Sequence, residues 1–110
     1  MKVIYVCTYY RGNDNGASIK KNIGIAQRIC EVIIAQGDLP IAPHLYLPQF
    51  LNDDVEGQRE KAIRLGLKML TTCHELWWWA PEGFKSDGMR DEIAFAHECQ
   101  IPVTFLDWWV

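Results

Sequence analysis

The sequence has no glycine-rich phosphate cradle. No GxGxxG follows its first hydrophobic segment and no GxxxxGK[ST] occurs anywhere, so the usual dinucleotide and P-loop chemistries are excluded. No basic cluster exceeds the Lys20-Lys21 pair, and the net charge is -3 with a pI near 5.5. That balance gives no electrostatic footprint for a nucleic acid polymer or an anionic membrane surface. No apolar run approaches the ~18 residues of a membrane span. Met1-Lys2 leads into a short strand-like segment rather than a secretory signal, so a cytoplasmic protein is expected. The four cysteines, Cys7, Cys30, Cys73 and Cys99, form no CxxC pair and read as small core residues in a reducing compartment. With His44, His74 and His97 they show no metal-ligand spacing, so no metal and no cofactor is expected.

With 49% hydrophobic residues, the 110-residue chain can bury one core, and residues 1–110 read as a single domain. Val3-Ile4-Tyr5-Val6-Cys7 is a short β-branched, apolar run. After the polar loop Arg11 to Gly16 the pattern turns helical, with Ile19, Ile23, Ala26, Ile29, Cys30 and Ile33 recurring at threes and fours until Gly37 ends the helix. Leu39 to Pro43 reads as a second, proline-limited edge strand. A helix over 55–72 follows with Ile63, Leu67 and Leu70 as its inner row, then a strand over 75–80 carrying Trp77-Trp78-Trp79. A helix over 86–99 and a strand over 101–106 complete the order βαβαβαβ. The expected fold is an α/β three-layer sandwich of Rossmann or flavodoxin type, with a mostly parallel sheet of about four to five strands.

A parallel sheet brings all C-terminal strand ends to one edge, where open α/β folds bind ligands. That edge collects Thr8 to Gly12, His44 to Tyr46, Pro81 to Ser86, and Asp107 to Trp109. The helix entered near Ser86, with Ser86 or Asp87 placed to cap it, carries a carboxylate on its apolar stripe. Met89, Glu92, Ile93, Ala96 and Cys99 share one face, and only Glu92 breaks the pattern. Desolvating an ionised carboxylate costs several kcal/mol, so an acid at this position either faces a polar pocket or snorkels out toward an Arg. In a pocket, it is a candidate nucleophile for a reaction through an oxocarbenium-like centre. Tyr9, Tyr10 and Tyr46 are candidates to stack a planar base, or core aromatics. His44 is either an acid or base-recognising group, or a loop-bonded histidine. Arg59, four residues before Ile63, is either an anion ligand or a cover for the helix start.

Three segments carry a resemblance. They are Cys7-Thr8-Tyr9-Tyr10-Arg11-Gly12, Pro43-His44-Leu45-Tyr46-Leu47-Pro48-Gln49-Phe50-Leu51-Asn52-Asp53, and Cys73-His74-Glu75-Leu76-Trp77 followed by Ser86-Asp87-Gly88-Met89-Arg90-Asp91-Glu92-Ile93. The chain resembles the nucleoside 2-deoxyribosyltransferase-like proteins, in particular a small bacterial and phage branch with S-P-Y-R-G and P-H-L-Y-F-P-Q-F-L-D-D at the first two positions. The resemblance implies that Glu92 attacks the anomeric carbon of a (deoxy)nucleoside or nucleoside 5′-monophosphate. It also implies that Ser86, Gly88, Arg11 and Gly12 hold sugar or phosphate. The partner is then a small-molecule nucleoside or nucleotide, and a homodimer or larger homo-oligomer is expected, with the Trp108-Trp109 tail a further sign of an interface. Two departures are visible. The relatives carry an Asp about two dozen residues before the nucleophile, where Leu65-Gly66-Leu67-Lys68-Met69 has no acid; Asp53, Asp54 and Asp107 are alternatives. His74 replaces an Asp at the start of the third strand, far from the active edge. A nucleotide-sensing module without turnover is the alternative function.

Overall fold

The computed structural model describes residues 1–11 and 18–107; Gly12 and the Trp108-Trp109-Val110 end of the tail lie outside the described residues. The strands are β1 (Val3–Cys7), β2 (Leu39–Ile41), β3 (Glu75–Trp78) and β4 (Val103–Phe105). The helices are α1 (Ile19–Ala35), a short α2 (Pro43–Tyr46) that runs into a 3-10 turn over Leu47–Gln49, α3 (Gln58–Thr71) and α4 (Asp87–Glu98). All strand pairs are parallel, in the order β2-β1-β3-β4. The expected three-layer α/β architecture is present, with α2 as an element that the sequence pattern did not separate.

Alternation along β1 divides the core. Ile4 and Val6 pack on one face against Ala26, Ile29 and Ile33 of α1, while Tyr5 and Cys7 pack on the other with Leu70 of α3 and Met89, Ile93 and Ala96 of α4. The tryptophan triplet follows the same rule: Trp77 and Trp79 lie with the α1 layer, and Trp78 lies with α3 and α4. Right-handed crossovers account for this division, since β1 to β2 runs one way along the sheet and β2 to β3 to β4 runs the other. Gly37 ends α1 at φ +93°, a left-handed conformation that glycine adopts without a Cβ penalty.

Two core expectations need correction. Cys99 is exposed, because α4 ends at Glu98 and Cys99 is its C-cap, whereas Cys7 and Cys73 are buried and Cys30 is half-buried. Ile63 is 52% exposed. Helix α3 overhangs the C-terminal edge of the sheet, so its inner row is core only from Gly66 and Leu70 onward and becomes a cleft wall before that.

Candidate active site

Strands β1 and β3 are neighbours, and the chain leaves their C-terminal ends toward opposite helix layers, α1 and α4. The crevice where such connections diverge is the ligand position of open α/β sheets. Here it opens into a cleft of about 1190 Å³. Tyr5 and Thr8 lie at its base, and its walls come from Tyr9 to Arg11, the α1 start, His44 with the turn after α2, the first half of α3, and Lys85 to Glu92.

Glu92 reaches this cleft because α4 starts where it does. Ser86 is the N-cap, its Oγ accepting from the Met89 N–H at 3.3 Å, which places Glu92 under two turns into the helix. The carboxylate is half-buried, and its Oε2 accepts a hydrogen bond from Tyr5 Oη. Tyr5 is 1% exposed in a central strand, where its hydroxyl requires a partner. Gly66 of α3 lies against the pair, close enough that a Cβ there would be in ordinary van der Waals contact with Tyr5 Oη at 3.6 Å. Burial pushes the Glu92 carboxyl up to about 7, with the Tyr5 hydrogen bond pulling down and the charge of Asp91 pushing further up. Burial, followed by the Glu92 charge, raises the Tyr5 phenol well above its ordinary value.

On the opposite wall, the His44 ring is tilted against Tyr10 with centroids 5.2 Å apart. Burial pulls its imidazole down to about 4, outweighing Asp53 and the hydrogen bond to the Tyr9 backbone. At neutral pH His44 is therefore an uncharged donor and acceptor rather than an acid. Arg11 reaches across the cleft mouth, with Nε 3.6 Å from Asp53 Oδ2 and Nη2 3.5 Å from Asp54 Oδ1. Such part-exposed pairs are worth at most about 1 kcal/mol, but they fix where Arg11 and Asp53 stand. Tyr9 Oη donates to the Phe84 carbonyl, tying the loop after β1 to the loop after β3.

The cleft thus brings together Glu92, Ser86, Gly88, Tyr9, Tyr10, Arg11, His44 and Arg59. Tyr46 is elsewhere: 54% exposed, edge-to-face with Phe50 at 5.0 Å, it lines a separate apolar hollow with Pro40, Ile41 and Met69. Helix α2 is the reason, because residues two apart on a helix point in nearly opposite directions and His44 takes the cleft side. Of the three substitute acids, Asp53 lines the cleft; the Asp54 side chain is 77% exposed and outside the lining, and Asp107 is exposed beyond β4. His74 sits at the other edge of the sheet, its Nδ1 accepting from the Val3 N–H at 2.8 Å. Among the described residues, no three His, Cys, Asp or Glu side chains cluster as metal ligands, and no helix is long and apolar enough to cross a membrane. Sequence reasoning placed Thr8 on this edge without giving it a role, and did not identify Tyr5 as a cleft residue. The available signal for Tyr5 was a hydroxyl-bearing aromatic inside an otherwise aliphatic central strand.

Comparison with solved structures agrees with the fold. Eight chains match, among them the 2-deoxyribosyltransferase from the psychrotolerant bacterium Bacillus psychrosaccharolyticus, described as a biocatalyst for the synthesis of antiviral and antitumoral nucleosides. Its TM-score is 0.73 at 11% sequence identity, over 94% of this chain and 70% of that one. The fold is therefore that of a 2-deoxyribosyltransferase-like α/β domain. The chain itself belongs to the family described as a domain of unknown function, DUF7768, which matches residues 2–106. No curated protein matches the sequence.

Proposed function

We propose that the cleft breaks the N-glycosidic bond of a (deoxy)nucleoside or its 5′-monophosphate, passing the sugar to water or to a second base, with Glu92 as nucleophile. The observation that carries this reading is the Glu92 carboxylate held by Tyr5 Oη at the β1/β3 crevice. The fold similarity to a 2-deoxyribosyltransferase supports it. Glu92 Oε1 attacks the anomeric carbon while Tyr5 holds Oε2. The carbon–nitrogen bond breaks, its electron pair stays on the base nitrogen, and that nitrogen takes a proton. Water in the open cleft supplies that proton; Asp53 lines the cleft but is ion-paired with Arg11, so it is not assigned as the source. Water or an incoming base then attacks the same carbon, breaks the glycosyl ester and frees Glu92.

Only the ionised carboxylate attacks, and with its carboxyl pushed up to about 7, protonation competes with attack near neutral pH. Ser86, Gly88 and Arg59 stand where a sugar or phosphate would be held, with Arg11 beside them although already engaged by two aspartates. Tyr10 and His44 form the wall available to a base. The test is chromatographic: nucleosides and 5′-monophosphates are incubated with and without a second free base, alongside Glu92→Gln. Base released or exchanged by the parent and lost in the variant is the expected result. One observation favours a second reading, a sensor without turnover: the Leu65 to Met69 segment supplies no acid. Ligands that raise the melting temperature without any product would establish that reading.

A further inference from the structure

Among the described residues, two polar side chains lie in the buried class, Thr8 at 3% exposure and Asn22 at 8%, and both line the cleft. Asn22 is committed to the fold, donating from Nδ2 to the Tyr10 carbonyl at 3.0 Å. Thr8 is not. Its Oγ is enclosed and has no hydrogen-bond partner among the described residues. A hydroxyl shut away from water without a partner is destabilising, and valine would fill the same volume without that cost. The fold therefore carries at Thr8 a hydroxyl with no protein partner among the described residues, at the base of the crevice and one residue beyond β1.

We propose that Thr8 Oγ is a ligand contact of this cleft, hydrogen-bonding a polar group of the bound nucleoside. The proposal rests on the nucleoside reading of the same site and adds a residue to it. Thr8 lies three positions along the chain from Tyr5, about 10 Å if the extended rise continues, and Tyr5 holds the attacking carboxylate. Thr8 is part of the cleft lining, and the proposed contact requires its hydroxyl, enclosed without ligand, to turn toward the cavity. A hydroxyl both donates and accepts, so either a sugar hydroxyl or a base edge satisfies it.

Thr8→Val and Thr8→Ser test this in the full chain, by calorimetric titration with 2′-deoxynucleosides and their 3′-deoxy counterparts and by thermal melting without ligand. The expected result is a Thr8→Val protein that melts at or above the parent temperature yet binds a nucleoside about tenfold more weakly, with Thr8→Ser close to the parent. If the loss in Thr8→Val disappears for the 3′-deoxy ligand, the partner is the 3′-hydroxyl; if it persists, the partner is the base edge or the 5′-hydroxyl. A Thr8→Val protein that melts lower than the parent has lost a partner inside the fold, which overturns the proposal. Undiminished nucleoside binding by Thr8→Val sinks the Thr8 contact alone. A parent that binds no nucleoside defeats both the nucleoside reading and this contact.

Discussion

At the scale of single residues, the site depends on one hydrogen bond whose effect on titration has a definite sign. Burial raises the Glu92 carboxyl to about 7, and the Tyr5 hydrogen bond is the opposing pull, since a donor to the charged form favours that form. Tyr5→Phe removes the donor, so the carboxyl rises further and a larger fraction is protonated at neutral pH. If Glu92 is the nucleophile, the parent rate climbs with pH through about 7, and the rising limb of Tyr5→Phe moves to higher pH. Its activity deficit then shrinks as pH increases. A pH–rate profile of both proteins checks this, and an unshifted limb would show that Glu92 ionisation does not govern the rate. Glu92 was legible in the sequence because a charge on an apolar stripe is a local contradiction that periodicity exposes. Tyr5 was not, because a strand pattern says which face a residue takes and nothing about where a hydroxyl at the end of a long side chain will find its partner. His44 and Tyr46 were read together as a strand-end loop, and only the helical turn of α2 sends them to different places.

The helices that frame the cleft permit a matched pair of substitutions. Gly24 lies in the interior of α1 and Gly88 in the first turn of α4, and a Cβ at either meets nothing within 4 Å. Glycine inside a helix is less stable than alanine by about 0.5–1 kcal/mol, so Gly24→Ala should raise stability by about that amount, and Gly88→Ala by no more. Their consequences for ligand differ, because Gly88 lines the cleft and Gly24 does not. Gly24→Ala should leave nucleoside binding unchanged. Gly88→Ala, with a methyl at the cleft wall, should weaken it if the ligand packs against the bare backbone there; equal affinities for the two variants would remove Gly88 from the site. Ser86→Ala is expected to lose about 1 kcal/mol through the lost cap on Met89 N–H, seen as a lower urea midpoint. At this scale the sequence was informative. Hydrophobic period located four strands and three long helices, because burial of one face is what both the pattern and the packing express. It was silent on α2, four residues long and opened by Pro43, since one helical turn has too few positions to display a period.

For the whole molecule, two groups facing one cleft couple stability to pH with opposite signs. Glu92 titrates near 7 in the folded chain against an ordinary value of 4.5, so between those values the folded state holds more protons than the unfolded one. Its contribution is present below 4.5 and is lost as pH rises through 7. His44 titrates near 4 when folded against 6.5, so the unfolded state holds more protons between them. Its contribution is present above 6.5 and is lost as pH falls through 4. Each spans about 2.5 pH units, or on the order of 3 kcal/mol, and across pH 4.5 to 6.5 the two slopes cancel. With these two groups dominant, the parent should show nearly flat stability over that interval and a decline from about 6.5 to just above 7, where Glu92 alone is still changing. Glu92→Gln removes the falling term, so its urea midpoint should climb from pH 4 to 6.5 and exceed that of the parent at pH 8. His44→Asn removes the rising term, leaving a midpoint that falls from pH 4.5 to 7. Urea titrations of the three proteins at half-unit intervals from pH 4 to 8 separate the terms. If the Glu92→Gln and parent curves run parallel over that range, the carboxylate is not held above its ordinary value, and the desolvated nucleophile at the centre of the proposed chemistry loses its physical basis.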